Sequence, residues 1–327
     1  MKILAVDDDP IILELLVQFI QAIEGHTIET AESAKEALTI LNERGNDVFD
    51  CFLLDIQMPA MDGIELTRRI RGAVRYSDTP VLMLTAMSDK RHIDSAFAAG
   101  ATDYITKPFE PAELNARIKL VEDVVAARQT RTRKIFATKS LQTPADRSEN
   151  PVQLYEPISI FDVDNVIDYT AMENYVQRLD RSALFGSTCF AFSIREIAAF
   201  YERLSSFEFY SLISDVAEVI SDALMDHQFL MSYAGNGTFV CVTESGWRPD
   251  TKRLMDIINL AMARTELFDN AGERLQPRVS AGDAYRLIWK TGESILETMG
   301  EAHASAEQAC HDFQTAQDDF WYLRRPA

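Results

Sequence analysis

The sequence predicts an α/β protein, a doubly wound five-stranded parallel sheet, followed by a second domain of α+β type. Three observations carry this. Strand and helix patterns alternate five times over the first ~125 residues, as in a sheet covered by helices on both faces. A strand, helix, hairpin, helix, strand order follows further along. The chain of 327 residues exceeds the size at which one core stops growing, and 47% apolar residues supply two.

The first strand is KILAV (Lys2 to Val6), a short buried-strand run. Three aspartates and Pro10 follow, then an apolar-periodic stretch from Ile11 to Ile23. A proline opening a helix behind acidic residues suits both the fixed φ of the first turn and the positive dipole end. Next come a strand around His26 to Thr30, a helix from Ser33 to Glu43, the strand CFLLD and a helix from Gly63 to Arg71. The strand VLMLT, a helix from Lys90 to Ala99, the strand DYIT and a helix from Glu110 complete the series.

Composition narrows the function. A formal charge of −19 argues against nonspecific nucleic-acid or anionic-membrane binding, since both need positive surface. The four cysteines, Cys51, Cys189, Cys241 and Cys310, form no CxxC pair, which fits reduced thiols in a cytoplasm better than disulfides or a zinc site. The five histidines show no HExxH spacing. Neither a basic-then-apolar leader nor a run of 18 apolar residues is present, so a soluble, unexported protein is expected.

In parallel sheets of this kind the reactive groups gather at the carboxyl ends of the strands. There Asp7 and Asp8 end the first strand, Asp55 the third, Thr85 the fourth and Lys107, followed by Pro108, the fifth. Converging carboxylates would hold a hard cation such as Mg²⁺. An ammonium and a hydroxyl opposite them would hold phosphoryl oxygens. Phosphoryl transfer to a carboxylate is implied, with Asp55 as nucleophile. Any one aspartate alone reads as a solvated turn; the set does not.

VDDDP, LLDIQMPAMDG, LTA and ITKPF resemble the four motifs of a flavodoxin-like receiver domain of two-component response regulators. The resemblance implies that Asp7 and Asp8 form an acidic pocket, that Asp55 is the phosphoacceptor, and that Gln57 is a metal ligand through its backbone carbonyl. It makes Thr85 and Tyr104 a switch pair and Lys107 the phosphate-contacting cation, with a cis bond to Pro108. Mg²⁺ would be the cofactor, and a sensor histidine kinase or phosphotransfer protein the partner.

Past Pro111 the apolar positions Leu114, Ile118, Val121 and Val125 continue the helix, and a basic run of Arg128, Arg131, Arg133, Lys134 and Lys139 follows. This run reads as a solvated helix end or as a contact for acidic surface. From Thr138 to Pro151 a polar, proline-bearing stretch predicts a flexible tether. The expected boundaries are a receiver at 1–127, a helical and flexible linker at 128–155, and an output domain at 156–327.

In the output domain, YEPISIFDVDNVIDYTAMENYVQRLD predicts a short strand and an amphipathic helix. Then come the strand CFAFSI, a helix from Phe207 to Leu224, FLMSYAGNGTFVCV as a hairpin, a helix from Thr251 to Thr265, a strand around Arg278 to Ala281, and a final helix from Glu301. Asn-Gly between apolar runs is a strong hairpin signal. FAFSIREIAAF is also similar to the opening FxDIRGFT-like strand of class III nucleotide cyclases, and SYAGNGTFVCV to their KxxGDGxxxxF hairpin. VSAGDAYR and MGEAHASAEQA resemble two further segments of that family, which implies a ferredoxin-like core.

The departures from that family matter more. Cyclases hold two metals with two carboxylates, whereas the matching positions here are the neutral Ser193 and Asn236. The ribose- and phosphate-contacting positions match Ala304 and Gln308, and the purine-selecting lysine matches Ser232. Glu297 retains an acidic base-selecting position. The leading expectation is a response regulator signalling through a noncatalytic, cyclase-like output by homodimerisation or by an unidentified downstream protein, without nucleic acid or membrane. Two alternatives stand beside it: an active or partner-complemented nucleotide cyclase, and a nucleotide sensor without turnover.

Overall fold

The computed structural model describes residues 1–44, 47–86, 90–141, 153–160, 162–244, 246–288 and 290–323. The chain divides into two compact units, Met1–Arg147 and Ser148–Ala327, at a point inside the expected linker.

The first unit runs β1 (Lys2–Val6), α1 (Pro10–Gln21), β2 (Thr27–Ala31), α2 (Ala34–Glu43), β3 (Cys51–Asp55), α3 (Gly63–Arg71), β4 (Val81–Thr85), α4 (Lys90–Ala98), β5 (Asp103–Thr106), α5 (Pro111–Leu141). All neighbouring strands pair in parallel, in the order β2-β1-β3-β4-β5. The period-2 alternation of strand side chains divides the apolar runs between two cores. Ile3, Ala5, Leu53, Leu82 and Leu84 meet Leu13, Leu16 and Ile20 of α1 and Leu114, Ile118 and Val121 of α5. Leu4, Val6, Phe52, Leu54, Val81 and Met83 face the other way, onto Ala37 and Leu41 of α2 and Leu66 and Ile70 of α3. Burial on both faces is why β3 and β4 read as unbroken apolar runs.

Helix starts follow from side-chain caps. Asp9, with Pro10 behind it, accepts from the Ile11 amide; Ser33 accepts from Glu36 and Asp62 from Glu65. Arg71 closes the far side of α3 by donating to the carbonyls of Tyr76, Thr79 and Gly100, which fixes the turn leading into β4. The helix α5 is longer than the sequence reading allowed: Thr138 to Leu141 are helical rather than tether, while the rest of the expected tether, to Pro151, lies outside the described residues.

The second unit comprises α6 (Tyr169–Arg178), α7 (Arg181–Gly186), β6 (Thr188–Ile194), α8 (Ile197–Arg203), α9 (Ser206–Leu224), β7 (Phe229–Gly235), β8 (Thr238–Thr243), α10 (Thr251–Arg264), β9 (Leu267–Phe268), β10 (Arg274–Leu275), β11 (Val279–Ala281), β12 (Tyr285–Arg286) and α11 (Glu293–Leu323). Its main sheet is antiparallel, ordered β11-β6-β8-β7, with β12 pairing the start of β6. Phe190, Phe192, Ile194, Met231, Tyr233 and Phe239 pack beneath Phe209, Ile213 and Val216 of α9 and Leu254 and Ile258 of α10. The alternate strand residues face the opposite side, where α11 runs along β6 and meets α6.

Three expectations change here. The last helix begins at Glu293, not at Glu301. The strand expected before α6 is a single parallel bridge, Val166 to Met231. The elements α7, α8, β9, β10 and β12 were not foreseen; each is short, and none of the side chains of α8 is buried.

Candidate functional site

The carboxyl ends of β1, β3 and β5 bring three acids and one amine together. The Lys107 ammonium lies 2.6 Å from Asp7 Oδ2 and 2.7 Å from Asp55 Oδ1. Asp7 and Asp55 are buried, and Asp8 is exposed, so the cluster opens to solvent on Asp8's side. One carboxylate oxygen from each of Asp7, Asp8 and Asp55 lies within 4.8 Å of the others. Three oxygen donors at that spacing fit a hard divalent cation, which takes carboxylate oxygens and keeps several waters.

The electrostatics are those of a partly buried, over-anionic site. Burial pushes the Asp55 carboxyl above its ordinary range; the Lys107 hydrogen bond pulls it down, and Asp7 and Asp8 push it up again. For Lys107, burial works to lower the pKa, but the bonds to Asp55 and Asp7 outweigh it and raise the value. The ammonium therefore stays charged between two acids, while Asp55 is a carboxylate held in an unfavourable place. An incoming cation or electrophile would relieve it.

Backbone packing aims Asp55. The Gly63 amide donates to the Ile56 carbonyl at 3.0 Å, and a Cβ on Gly63 would stand 2.0 Å from the Asp55 carbonyl oxygen. Only glycine lets α3 start this close to the end of β3. The sequence reading gives this residue no role beyond opening a helix, although the Asp-Gly that follows MPAM marks it. The Lys107–Pro108 bond is cis, and the Lys107 amide donates to the Thr85 carbonyl at 2.6 Å.

Thr85 is buried at the end of β4, one strand from Asp55. Tyr104 is half-buried on β5, its ring edge-on to Phe97 of α4 at 6.3 Å. Gln57 is exposed in the loop between β3 and α3. Asp103, beside Tyr104, is buried and paired with Arg117 of α5 at 3.3 Å, a link between β5 and α5 that sequence reading missed.

The second set of sequence-derived positions lies in the other unit. Ser193 and the Asn236 turn share one end of the sheet, since Ser193 pairs with Thr238 in register. Ser193 is buried; Thr238 donates its hydroxyl to Ser193 Oγ at 3.0 Å, and the Cys310 thiol donates to the Ser193 carbonyl at 3.2 Å. Asn236 has φ +49 between Gly235 at +98 and Gly237 at +74, so the expected Asn-Gly turn is formed with an additional left-handed residue before it. Its amide donates to the Leu154 carbonyl at 2.7 Å.

Beside Ser193, Arg195 donates from Nε to Ser280 Oγ at 2.9 Å, and its guanidinium lies 3.6 Å from the centroid of the Phe313 ring. Burial lowers the pKa of Arg195. Ser232 is buried on β7 with its hydroxyl unpaired. Ala304, Gln308 and Glu297 lie on the exposed side of α11, where Gln308 donates to Asp312 at 2.7 Å. Ser193 and Asn236 are thus neighbours, whereas Ala304, Gln308 and Glu297 face away from the sheet.

Comparison with known proteins finds matches within the first unit. The family described as "Response regulator receiver domain" matches residues 3–119. "Transcriptional regulatory protein ResD" of Bacillus subtilis (strain 168) is 41% identical over 118 residues, 36% of this chain and 46% of that protein. "Transcriptional regulatory protein YvrH" of the same organism is 42% identical over 118 residues, 36% of this chain and 47% of that protein. The match thus spans about half the length of these curated relatives. A crystal structure of chemotaxis protein CheY4 of Vibrio cholerae is 34% identical, with a TM-score of 0.35, covering 37% of this chain and 97% of that one. With the parallel sheet, the acid triad and the lysine between two of its members already in place, residues 3–119 are a response regulator receiver domain.

Proposed function

We propose that the chain is a response regulator that takes a phosphoryl group on Asp55 from a sensor histidine kinase or phosphotransfer protein. The observation that carries this is the Lys107 ammonium within hydrogen-bond distance of both Asp7 and Asp55. An Asp55 carboxylate oxygen attacks phosphorus, a new O–P bond forms, and the donor's N–P bond breaks with its electron pair returning to the imidazole nitrogen. Lys107 then offsets the charge on the phosphoryl oxygens. The carboxylates of Asp7, Asp8 and Asp55 and the Gln57 carbonyl would hold Mg²⁺, which supplies further charge neutralisation of the transferring group. Thr85 would donate its hydroxyl to the new phosphoryl group, and Tyr104 would repack against α4 as the switch partner.

The output, residues 156–327, is a noncatalytic cyclase-like domain in this reading. The β6-α9-β7-β8-α10-β11 connectivity in the order β11-β6-β8-β7 supports a ferredoxin-like core. Against turnover stand a buried, neutral Ser193 and the cationic Arg195 beside it, where two cations would have to sit. Homodimerisation or binding of a downstream protein is then the mode of signalling. The charge of −19 supports an output without nucleic acid, so the transcriptional role in the relatives' names is not carried over. No helix among the described residues is long and apolar enough to cross a membrane. The four cysteines are free and buried, which supports a cytoplasmic setting.

The test uses the full chain with Mg²⁺ and an acyl phosphate or a phosphorylated histidine kinase. One added phosphoryl group in the intact mass, absent from Asp55→Asn, is expected, with no cyclic nucleotide from ATP or GTP in either state. Labelling that persists in Asp55→Asn, or cyclic product from the wild-type chain, refutes the reading.

A further inference from the structure

We propose that residues 153–158 form a strap clipped over the Gly235–Gly237 turn, and that release of this strap is how the second unit reads the phosphorylation state of the first. The proposal rests on the reading of Asp55 as phosphoacceptor.

The Asn236 amide donates to the Leu154 carbonyl at 2.7 Å. A Cβ on Gly235 would stand 2.5 Å from the Tyr155 carbonyl oxygen, so strap and turn are in direct backbone contact. Leu154 and Ile158 are half-buried against the core under α9, and Tyr155 is 66% exposed. The chain immediately beyond is held differently. Ile160, Val166 and Ile167 are buried, Met231 donates to the Asn165 carbonyl at 2.9 Å, and Ile167 donates back to the Met231 carbonyl at 2.8 Å. Burial thus grades from partial at 153–158 to full at Ile160, Val166 and Ile167.

Position gives the gradient its use. Residues 142–152 join the strap in sequence to the end of α5. Along the chain from the receiver, the strap is the first described part of the second unit. Segments with few buried apolar contacts open at the lowest free-energy cost, well below global unfolding. The strap also meets the end of β7, the edge strand of the sheet, at Gly235. Its release would bare the Asn236 turn and the end of an edge strand, which is a surface made for pairing with another chain.

Amide-resolved hydrogen exchange on the full chain tests this, with the Asn236 amide reporting the clip and the Met231 amide serving as the internal control. Phosphorylation by an acyl phosphate with Mg²⁺, verified by intact mass, should speed exchange at Asn236 several-fold and leave Met231 unchanged, with no effect in Asp55→Asn. A Leu154→Ala/Ile158→Ala variant should speed Asn236 by about tenfold without any phosphodonor. Unchanged Asn236 exchange in a chain whose mass shows the phosphoryl group overturns the strap and leaves the phosphoacceptor reading intact. Failure to take up a phosphoryl group overturns that reading and the coupling with it. Unchanged exchange in the double variant removes the clip itself, and joint loss of protection at both amides means unfolding of β7 rather than strap release.

Discussion

Replacing Gly63 by alanine should damage both the stability of the receiver and the chemistry at Asp55. The added Cβ would stand 2.0 Å from the Asp55 carbonyl oxygen, 2.9 Å from its carbonyl carbon and 3.2 Å from Ile56 Cα. A tolerated carbon–oxygen contact is about 3.3 Å, so α3 and the end of β3 must separate by roughly 1.3 Å. All three obstructing atoms are backbone, and no rotamer change relieves the overlap. The cost belongs at the upper end of overpacking, about 3 kcal/mol, or roughly 10 °C in Tm for a domain of this size. Because the atoms displaced carry the Asp55 side chain, phosphorylation from an acyl phosphate should slow by about 100-fold. Gly72→Ala is the control: its Cβ would meet Arg68 and Arg69 carbonyl oxygens at 3.6 Å, and its φ of −67 suits any residue. That change should be neutral or stabilising by up to about 1 kcal/mol. Thermal melts and single-turnover labelling of the two variants decide the matter. A Gly63→Ala protein that melts and labels like wild type would refute the idea that this close approach aims Asp55.

Lys107→Met should destabilise the receiver by about 2–3 kcal/mol, since it strands Asp7 and Asp55 beside each other, and should lower the labelling rate in the same assay. The pKa of Lys107 is raised in the folded state, so its contribution is complete below the unfolded value and fades only as pH climbs through the higher folded one. Urea unfolding of wild type and variant should therefore differ by a constant amount from pH 7 to about pH 10; a gap that closes within this range counts against the pairing. Asp55→Asn should stabilise the metal-free receiver at pH 7, because the folded-state pKa of Asp55 is raised. That advantage should vanish as pH falls through the folded value toward the unfolded one, and equal urea midpoints at pH 7 would contradict it. Ser193→Asp should cost about 2–5 kcal/mol in thermal melts, because the new carboxylate would be buried beside the Thr238 hydroxyl; a stable variant that binds Mn²⁺ would mean the site accepts metal after all.

The receiver's strands and helices were legible in the sequence because its central strands are buried on both faces. Cys51–Asp55 and Val81–Thr85 stand out as unbroken apolar runs, and the acids and lysine that follow them fall at strand ends by topology alone. The close approach of Gly63 to Asp55 is not legible in the sequence, because it is an interatomic distance, which spacing does not encode. The second unit was harder for identifiable reasons. Ile295, Met299, Ala302, Ala306 and Cys310 form a buried stripe at helical period, so the early start of α11 was present in the sequence, but Gly300 reads as a break. It is exposed, and nothing lies within 4 Å of a Cβ placed there, so the helix passes through it. The segment around residues 154–167 takes its form from the edge of β7 and the Asn236 turn, partners some seventy residues away. No local pattern announces contacts of that kind.

The two sequence-derived sites differ in what their surroundings do with charge. At Asp55 the fold concentrates three carboxylates around one ammonium and leaves Asp8 in solvent, so net negative charge is held where a cation and a phosphoryl group would relieve it. At Ser193 the same kind of position, a strand end beside a turn, carries no charge. A hydroxyl pair and a thiol satisfy its polar atoms, and a guanidinium stacked on Phe313 supplies positive charge nearby. Bringing a metal to the first site removes repulsion. Bringing one to the second would set it against a cation and break hydrogen bonds already made, with no carboxylate at Ser193 or Asn236 to compensate. The proposed function accordingly places phosphoryl chemistry in the receiver and gives the second unit a binding role. The turn bearing Asn236 retains a role in that scheme as the place where the strap is fastened.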